Sequence, residues 1–184
     1  MYELSLNIMD IVQNSIRANA KHVSVSIDVD DERDMLTIEI SDDGDGMSEE
    51  LRGAATDPFI TSRETRRVGL GLPYYAMAAN ICGGEFDIQS EQGAGTLVSA
   101  RFRISHIDRA PLGDTGQTIA LLAGANPDVD FEFTLTRGEG SFRFDTAEIK
   151  DLLEGVRIDS PEVVVYMEGY INENIKNITR GIDL

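Results

Sequence analysis

Cysteine, basic residues and long apolar runs are all scarce in this sequence of 184 residues. Its one cysteine, Cys82, excludes an internal disulfide and suits a reducing cytoplasm. No apolar run approaches the roughly 18 residues that a membrane span needs, and the first residues do not pair a basic stretch with an apolar signal segment. We therefore expect a cytoplasmic globular protein with no membrane partner.

The shortage of basic residues excludes a second class of function. Lys and Arg number 16 against 33 Asp and Glu, which gives a net charge of −17 at pH 7. Acidic residues are in excess both before and after residue 105, so neither part offers the basic surface that nucleic acid binding needs. The two histidines, His22 and His106, are too far apart in the sequence for a zinc motif. Nucleic acid is not an expected partner.

The first helix that the sequence predicts is apolar except for one polar stripe. Residues 4–20 read LSLNIMDIVQNSIRANA, and at about 100° per residue four polar side chains fall within roughly 80° of one another. These are Asn7, Asp10, Asn14 and Arg17. The stripe is either the solvent face of an amphipathic helix or the wall of a site for a ligand with metal and phosphate, since buried charges need partners.

Three glycine motifs follow this helix in order. Asp-x-Gly-x-Gly at residues 42–46 ends a predicted strand, where the carboxylate can accept a hydrogen bond from an exocyclic amine, although an acidic turn uses the same residues. Gly-Leu-Gly at residues 69–71 opens a predicted helix over 70–81, whose free N–H groups could hold phosphate. Gly-x-Gly-Thr at residues 93–96 is equally typical of a hairpin turn. Their fixed order favours a nucleotide site over three unrelated turns.

Taken together, these motifs resemble the ATP-binding domain of the GHKL group, which includes DNA gyrase, the heat-shock chaperone, histidine kinases and mismatch-repair ATPases. The resemblance covers about residues 1–105. It includes the segment Asp57–Arg63, which is similar to the segment before the glycine motif in nitrogen-sensing histidine kinases, and the stretch from Ile81 to Glu91. It implies a Bergerat-type fold, a two-layer α/β sandwich whose mixed sheet carries helices on one face.

The resemblance implies a role for each motif residue toward the adenine of ATP. Asp42 would accept a hydrogen bond from the adenine amino group. Gly44 and Gly46 would let the base lie against the chain, with Met47 beneath it. Thr96 would support the adenine end of the site.

The resemblance also implies how phosphate and metal would be held. Asn14 would be a ligand of Mg²⁺, which commonly joins one or two protein groups to substrate phosphates. Arg17 would contact phosphate, and Asp10 takes the place of the Glu that activates water in hydrolysing members. The triphosphate would be lined by residues of the second glycine motif. The segment between Met47 and Gly69 resembles the family's ATP lid, and one of its arginines would close over the triphosphate. These residues are Gly69, Leu70, Gly71, Leu72 and Arg63.

Two residues depart from the family pattern. Arg67 replaces the first glycine of the usual Gly-x-Gly-Leu-Gly motif, which adds charge to the phosphate loop. Asp10 is one methylene shorter than Glu, which reduces its reach toward an attacking water. Elements that family members carry before the first helix are expected from another chain, which would make the protein part of an oligomer.

The second part of the sequence predicts a small α+β domain over residues 106–184 that resembles no family we can name. A linker rich in Pro and Gly spans 108–113. The elements expected after it are a helix over 115–125, a hairpin of strands 129–136 and 141–144, and helices over 146–154 and about 161–178. Thr146 and Ser160 are the expected N-caps of the last two helices.

The function that these observations favour is Mg²⁺-ATP binding in a cytoplasmic regulatory or signalling role. The chain would act as an ATPase or as a kinase on a protein partner, because it has no recognisable phosphoacceptor histidine of its own. One alternative is a nucleotide-sensing interaction protein without turnover. Another is a serine kinase resembling anti-sigma factors, which would leave the second part unexplained.

Overall fold

The computed structural model describes residues 3–55, 71–180 and 184. The helices in this part of the chain are α1 (Leu4–Arg17), α2 (Glu49–Ala54), α3 (Gly71–Ile81), α4 (Thr115–Ala125), α5 (Thr146–Leu152) and α6 (Pro161–Thr179). The strands are β1 (His22–Asp30), β2 (Met35–Asp42), β3 (Phe86–Glu91), β4 (Gly95–Arg103), β5 (Asp130–Arg137) and β6 (Gly140–Asp145). None of these helices combines the length and the apolar character that a membrane crossing requires.

All six strands form one mixed sheet in the order β3-β4-β2-β1-β5-β6. Neighbouring strands are antiparallel except β1 and β5, which are parallel with Val25 opposite Phe133. The antiparallel pairs β1–β2, β3–β4 and β5–β6 are consecutive in sequence, as expected for hairpins. The parallel pair joins strands that are separated by about half of the chain.

The sheet is covered by helices on one face. Along β1, β2 and β5 every second residue is buried and the residues between them are partly or fully exposed, which is the pattern of a sheet with one packed face. The helices α1, α3, α4 and α6 supply the other side of a single core, and their neighbours in the layer contact one another. The predicted two-layer α/β sandwich with a mixed sheet is confirmed.

Strands on both sides of residue 105 belong to this one sheet. Leu112, Phe131 and Phe133 lie in the same buried cluster as Leu4 and Val23. The backbone N–H groups of Leu4 and Ser5 also donate to the carbonyls of Pro111 and Leu112, at 2.9 and 2.8 Å. The division into domains at residues 1–105 and 106–184 stays a prediction, and the second part has no sheet of its own among the described residues.

Several element ends differ from the sequence prediction by one to three residues. The first helix ends at Arg17 instead of Ala20, because Asn19 adopts a left-handed conformation with φ 63°. Asp145, and not Thr146, caps α5: its side chain accepts from Ala147 N, whereas the Thr146 hydroxyl accepts from Phe131 N. Ser160 does precede α6, but its side chain makes no capping hydrogen bond.

Candidate functional site

The polar stripe of α1 spans three different environments. Asn7 is only 2 % exposed, and its Nδ2 has no hydrogen-bond partner among the described residues. Asn14 is half-buried, whereas Asp10 and Arg17 are exposed. The opposite side of the helix, with Ile8 and its neighbours, is buried in the core. The stripe is therefore neither a uniform solvent face nor a uniformly buried one, and its middle lies at the protein surface.

Asn14 and Arg17 contact each other one helical turn apart. Arg17 donates from one guanidinium nitrogen to Asn14 Oδ1 at 3.2 Å and from the other to Gln13 Oε1 at 3.5 Å. The carboxamide oxygen expected to bind Mg²⁺ thus faces a cationic group. For Asn14 to bind a metal ion through this oxygen, the Arg17 guanidinium would have to move away.

Asp10 lies against the N-terminus of α3. A Cβ placed on Gly71 would stand 3.1 Å from the Asp10 Cβ and 3.4 Å from Asp10 Oδ2. Gly71 is the first residue of α3 and is buried, so a side chain at this position would push Asp10 away. The contact places a carboxylate beside the first described turn of α3.

The carboxylate of Asp42 is fixed by two hydrogen bonds from the chain. Ser15 Oγ donates to Asp42 Oδ2 at 2.5 Å, and Gly44 N donates to Asp42 Oδ1 at 2.9 Å. Ser15 is 3 % exposed and sits in α1 directly after Asn14. One turn of α1 therefore carries both the residue expected to bind metal and the residue that orients Asp42.

A second serine joins the turn after β2 to the β3–β4 hairpin. Ser90 Oγ accepts from Met47 N at 2.8 Å, donates to Gly95 O at 3.0 Å and lies 2.9 Å from Thr96 Oγ1. Gly93 N also donates to Asp45 O at 2.7 Å. These bonds hold Met47 and Thr96, both expected near the adenine, on adjacent segments.

Sequence reasoning missed the roles of Ser15 and Ser90. Ser15 could have been found because its hydroxyl is on the core-facing side of an apolar helix, where a buried polar group needs a partner. Ser90 lies three residues before the third glycine motif, but only the structure shows that its hydroxyl reaches the turn after β2.

The glycines of these turns are required by contacts within the chain. A Cβ on Gly46, whose φ is +64°, would lie 2.0 Å from Glu91 O. A Cβ on Gly95, whose φ is +93°, would lie 2.0 Å from Asp42 O. Since two backbone segments meet at each glycine, these residues are explained without a ligand. The motif 93–96 is at the same time the hairpin turn that the sequence allowed.

The Gly95→Ala variant is predicted to lose stability far beyond the cost of backbone strain. Gly93 provides the matched control, because it has φ +82° but a Cβ there would meet nothing within 4 Å. Gly93→Ala should cost about 1–2 kcal/mol from strain alone, whereas Gly95→Ala should cost more than about 4 kcal/mol. Urea unfolding of both variants measures the difference. Equal losses would show that the approach of Gly95 to Asp42 is not a tight one.

A cavity of about 840 Å³ opens beside these turns. Its lining includes Asp42, Met47 and Thr96 from the predicted site, together with Ser90 and Arg52 of α2. Asp10, Asn14 and Gly71 are not part of its lining. Three of the residues expected at the adenine therefore share one opening, whereas Gly44 and Gly46 are not in its lining. Asp10, Asn14 and Arg17, expected at phosphate and metal, lie on α1, whose Ser15 contacts Asp42.

Hydrogen bonding and burial shift the pKa values of two side chains near this region, Asp43 and Tyr75. The backbone N–H of His22, followed by that of Lys21, donates to Asp43 Oδ1 and lowers the pKa of that carboxyl. Burial raises the pKa of Tyr75, which is in α3 and packs its ring against Phe102 of β4. Both groups keep one charge state near neutral pH, so neither is suited to proton transfer there.

Three of the predicted ligand residues lie outside the described part of the chain. These are Arg63, Gly69 and Leu70. The segment Asp57–Arg63 and Arg67 also fall in this range, so their expected roles stay predictions. Leu72, the last residue of that motif, is described and is buried at 4 % exposure in the first turn of α3.

The motifs, the sheet and the order of elements agree with one family of ATPases. Residues 3–106 match the family described as histidine kinase-, DNA gyrase B-, and HSP90-like ATPase, which is more than half of the chain. The chain belongs to this family. Its match includes α1, the turn after β2 and the β3–β4 hairpin, so the resemblance seen in the sequence is confirmed.

The curated relatives of this ATPase domain are histidine kinases. An NtrY-like sensor histidine kinase of Rickettsia conorii is 25% identical over 107 residues, which are 58% of this chain and 17% of the relative. Sporulation kinase C of Bacillus subtilis is 30% identical over 95 residues, 52% of this chain and 22% of the relative. Sensor histidine kinase DpiB of Escherichia coli is 30% identical over 96 residues, which are 50% of this chain and 17% of the relative. The chain thus spans about a fifth of their length.

A solved structure extends the likeness in fold beyond the matched family region. The crystal structure of the N-terminal domain of a DNA repair protein superimposes with a TM-score of 0.51 and 16% identity, covering 79% of this chain and 52% of that one. At this identity the likeness concerns the fold alone. It supports a GHKL-type α/β fold for this ATPase domain.

Proposed function

We propose that the chain binds Mg²⁺-ATP and uses it in signalling, as an ATPase or as a kinase that acts on another protein. The observation that carries the proposal is the hydrogen bond from Ser15 to Asp42. It ties the group suited to read adenine to the same turn of α1 that carries Asn14. Base recognition and phosphate binding would then be linked by one rigid helix.

The residues near Asp42 have chemistry that suits adenine. A carboxylate accepts hydrogen bonds only, so Asp42 would accept from the adenine amino group and would face a carbonyl in guanine. Met47 and Thr96 line the same cavity and would contact the base. Gly44, whose N–H holds Asp42 from the other side, would let the base approach the chain.

The residues along α1 fit a magnesium ion that takes most of its ligands from phosphate and water. Among the described residues no group of three or more His, Cys, Asp and Glu side chains could hold a metal ion. Mg²⁺ with one or two protein ligands needs no such group. Asn14 would supply its oxygen to the ion, whose charge would offset that of the phosphates. Arg17, Arg63 and the motif at residues 69–72 would hold phosphate oxygens.

Asp10 is the group suited to act on water or to orient the metal's waters. It is exposed, and it adjoins the N-terminus of α3. Its role separates only in part an enzyme from a nucleotide-sensing protein that changes shape without turnover, because a kinase could use Asp10 only to hold the metal's waters. A cytoplasmic site of action and a protein substrate on another chain belong to the same proposal, as does the rival of a serine kinase similar to anti-sigma factors.

The Asn14→Ala variant tests the metal site. We expect it to weaken Mg²⁺-ATP binding by at least about tenfold, a loss seen even for residues that only support a metal ligand. Metal-free adenosine should bind the variant nearly as well as the parent chain, because Asp42 and Ser15 are unchanged. Calorimetric titration of both ligands measures the two losses.

Gln13→Ala is the control for this test, since Gln13 is the neighbouring residue on α1 and also accepts from Arg17. It should bind both ligands as the parent chain does. If Asn14→Ala weakened adenosine and Mg²⁺-ATP equally, Asn14 would not be a metal ligand.

A further inference from the structure

Three polar side chains close one end of the helix-covered face of the sheet. Ser90 of β3 pairs with Thr96 of β4, and Thr96 pairs with Asp42 of β2. Because side chains alternate along a strand, Thr96 lies on the same face as buried Val98, and Asp42 lies on the same face as buried Ile40. All three polar residues also line the cavity of about 840 Å³. They form a polar row that is both the end of the core and a wall of the cavity.

The hydroxyl of Ser90 has three hydrogen-bond neighbours. Met47 N donates to Ser90 Oγ at 2.8 Å. Gly95 O lies 3.0 Å from the same oxygen and, as a carbonyl, can only accept. Thr96 Oγ1 lies 2.9 Å away and can either donate or accept. A serine hydroxyl has one proton and two lone pairs, so these three contacts constrain one another.

One direction of the bond between Ser90 and Thr96 satisfies all three contacts. In this direction Ser90 donates its proton to Gly95 O and accepts from Met47 N and from Thr96 Oγ1. In the opposite direction Ser90 would donate to Thr96, and Gly95 O would lose this donor while one lone pair of Ser90 stayed unused. The arrangement with three hydrogen bonds is favoured over the one with two, because partly buried polar groups gain from being paired. Ser90 therefore holds the Thr96 proton, and the lone pairs of Thr96 are left for another partner.

We propose that Ser90 is a positioning residue that sets base specificity, because it holds the Thr96 proton and so makes Thr96 a hydrogen-bond acceptor toward the nucleotide. This inference rests on the proposed function, in which adenine binds beside Asp42. The Asp42 carboxylate also only accepts, and its two oxygens are oriented by Ser15 and by Gly44 N. A ligand group that meets both Thr96 and Asp42 must therefore donate twice. An amino group has two hydrogens to donate, and a carbonyl has none.

The polar row is thus expected to select nucleotides of 6-amino purines and to reject those of 6-oxo purines. Inosine triphosphate (ITP) is the probe for this difference, since a carbonyl replaces the amino group of ATP and no second amino group is added, as it is in GTP. The neighbouring ring nitrogen of ITP also carries a proton, but this proton is the same for every variant compared. The quantity of interest is the ratio of the affinities for ATP and ITP.

Ser90→Ala tests the role of Ser90. It releases the Thr96 hydroxyl, which can then rotate and donate to the carbonyl of ITP. The preference for ATP over ITP should fall at least about fivefold, the effect of about one hydrogen bond, with most of the change in the affinity for ITP. Competition of each nucleotide against a fluorescent ATP analogue, with Mg²⁺ present, measures the ratio. A general folding defect would weaken the binding of both nucleotides together and leave the ratio unchanged.

Three further variants make the test specific. Adding Thr96→Val to Ser90→Ala removes the released hydroxyl and should cancel the gain for ITP. Ser99→Ala is the matched control and should keep the parent ratio, because Ser99 is on the same strand as Thr96 but contacts Glu39 on the opposite face of the sheet. Ser90→Cys keeps the shape of the side chain with a weaker acceptor, so it should shift the ratio in the same direction by a smaller factor even if Ser90→Ala does not fold.

The outcomes separate this inference from the proposed function on which it rests. An unchanged ratio in Ser90→Ala, or in Ser90→Cys where Ser90→Ala does not fold, would overturn the inference and leave Asp42 as the adenine acceptor. A gain for ITP that persists after Thr96→Val would also overturn it, since the gain would then not come from Thr96. A parent chain that binds ATP and ITP equally, or binds neither, would contradict the proposed function, and the inference would fall with it.

Discussion

Asp10→Asn is expected to lower the rate of phosphate release from ATP by about 10² to 10⁴, the usual loss when a general base is removed. Asparagine has the same shape as aspartate, so the contact with Gly71 is preserved and ATP affinity should stay close to that of the parent chain. An amide cannot accept a proton from water at neutral pH, and the substitution also removes one negative charge. Release of labelled phosphate and calorimetric titration measure the two quantities.

Asp151→Asn is the matched control, because Asp151 is exposed on α5, away from the motif residues in sequence, and carries the same change of charge. It should leave both quantities unchanged. Robust release by the parent chain that Asp10→Asn leaves intact would contradict the role of Asp10 as a base. Release at background level in both proteins, with ATP still bound, would favour either the nucleotide-sensing alternative or a kinase that transfers phosphate only to its partner.

The second large effect is expected in the selectivity for adenine over guanine. The parent chain should bind ATP at least about 100-fold more tightly than GTP, because a site built around a specific hydrogen bond rejects an analogue that cannot make it. Guanine presents a carbonyl where adenine presents its amino group, and Asp42 would then be left facing another acceptor. Asp42→Asn should lose most of this preference, since an amide offers both a donor and an acceptor. Competition of ATP and of GTP against a fluorescent ATP analogue measures this preference in the parent chain and in Asp42→Asn.

Ser15→Ala separates orientation from recognition in the same experiment. It keeps the Asp42 carboxylate but removes its bond from Ser15, which is 2.5 Å long. We expect a weaker preference for ATP than in the parent chain and a stronger one than in Asp42→Asn. If GTP competed as well as ATP in the parent chain, the assignment of Asp42 to adenine would be wrong.

Local patterns in the sequence predicted most of the elements. The apolar spacing in residues 4–20 is typical of a helix, and the alternation in β1 and β2 is typical of strands packed on one face. Element ends were less accurate, because a single left-handed residue such as Asn19 stops a helix without a clear signal in sequence.

Long-range pairing could not be predicted from these patterns. The hairpins β1–β2, β3–β4 and β5–β6 follow from short turns, but β5 joins β1 in parallel across about half of the chain. Alternation in a strand determines which of its faces is buried, but it does not determine which other strand pairs with it. The second part of the chain is predicted as a separate domain because residues 108–113 have the composition of a linker. Nothing in the pattern of residues 129–136 indicates that this strand extends the first sheet.

The sequence predicted which residues form the candidate site. It did not predict the hydrogen bonds and close contacts between them. The family and the fold are confirmed, while the roles of Asp10, Asn14 and Asp42 stay predictions. The structure adds the reasons why some of these residues are what they are: Gly46 and Gly95 are needed where backbone segments meet, and Ser15 holds Asp42. Such contacts depend on which segments are adjacent in space, which periodicity and spacing do not reveal.

The central claim is that ATP binds along α1, between Asp42 and the N-terminus of α3. The most direct measurement is a titration of the isotope-labelled full chain with Mg²⁺-ATP, followed by amide chemical shifts. The account predicts the largest changes at Asn14, Ser15, Asp42, Gly44 and Thr96, and little change along β6, which is at the far edge of the sheet. Shifts that avoid α1 and the turn after β2, or no shifts at saturating ATP, would contradict it.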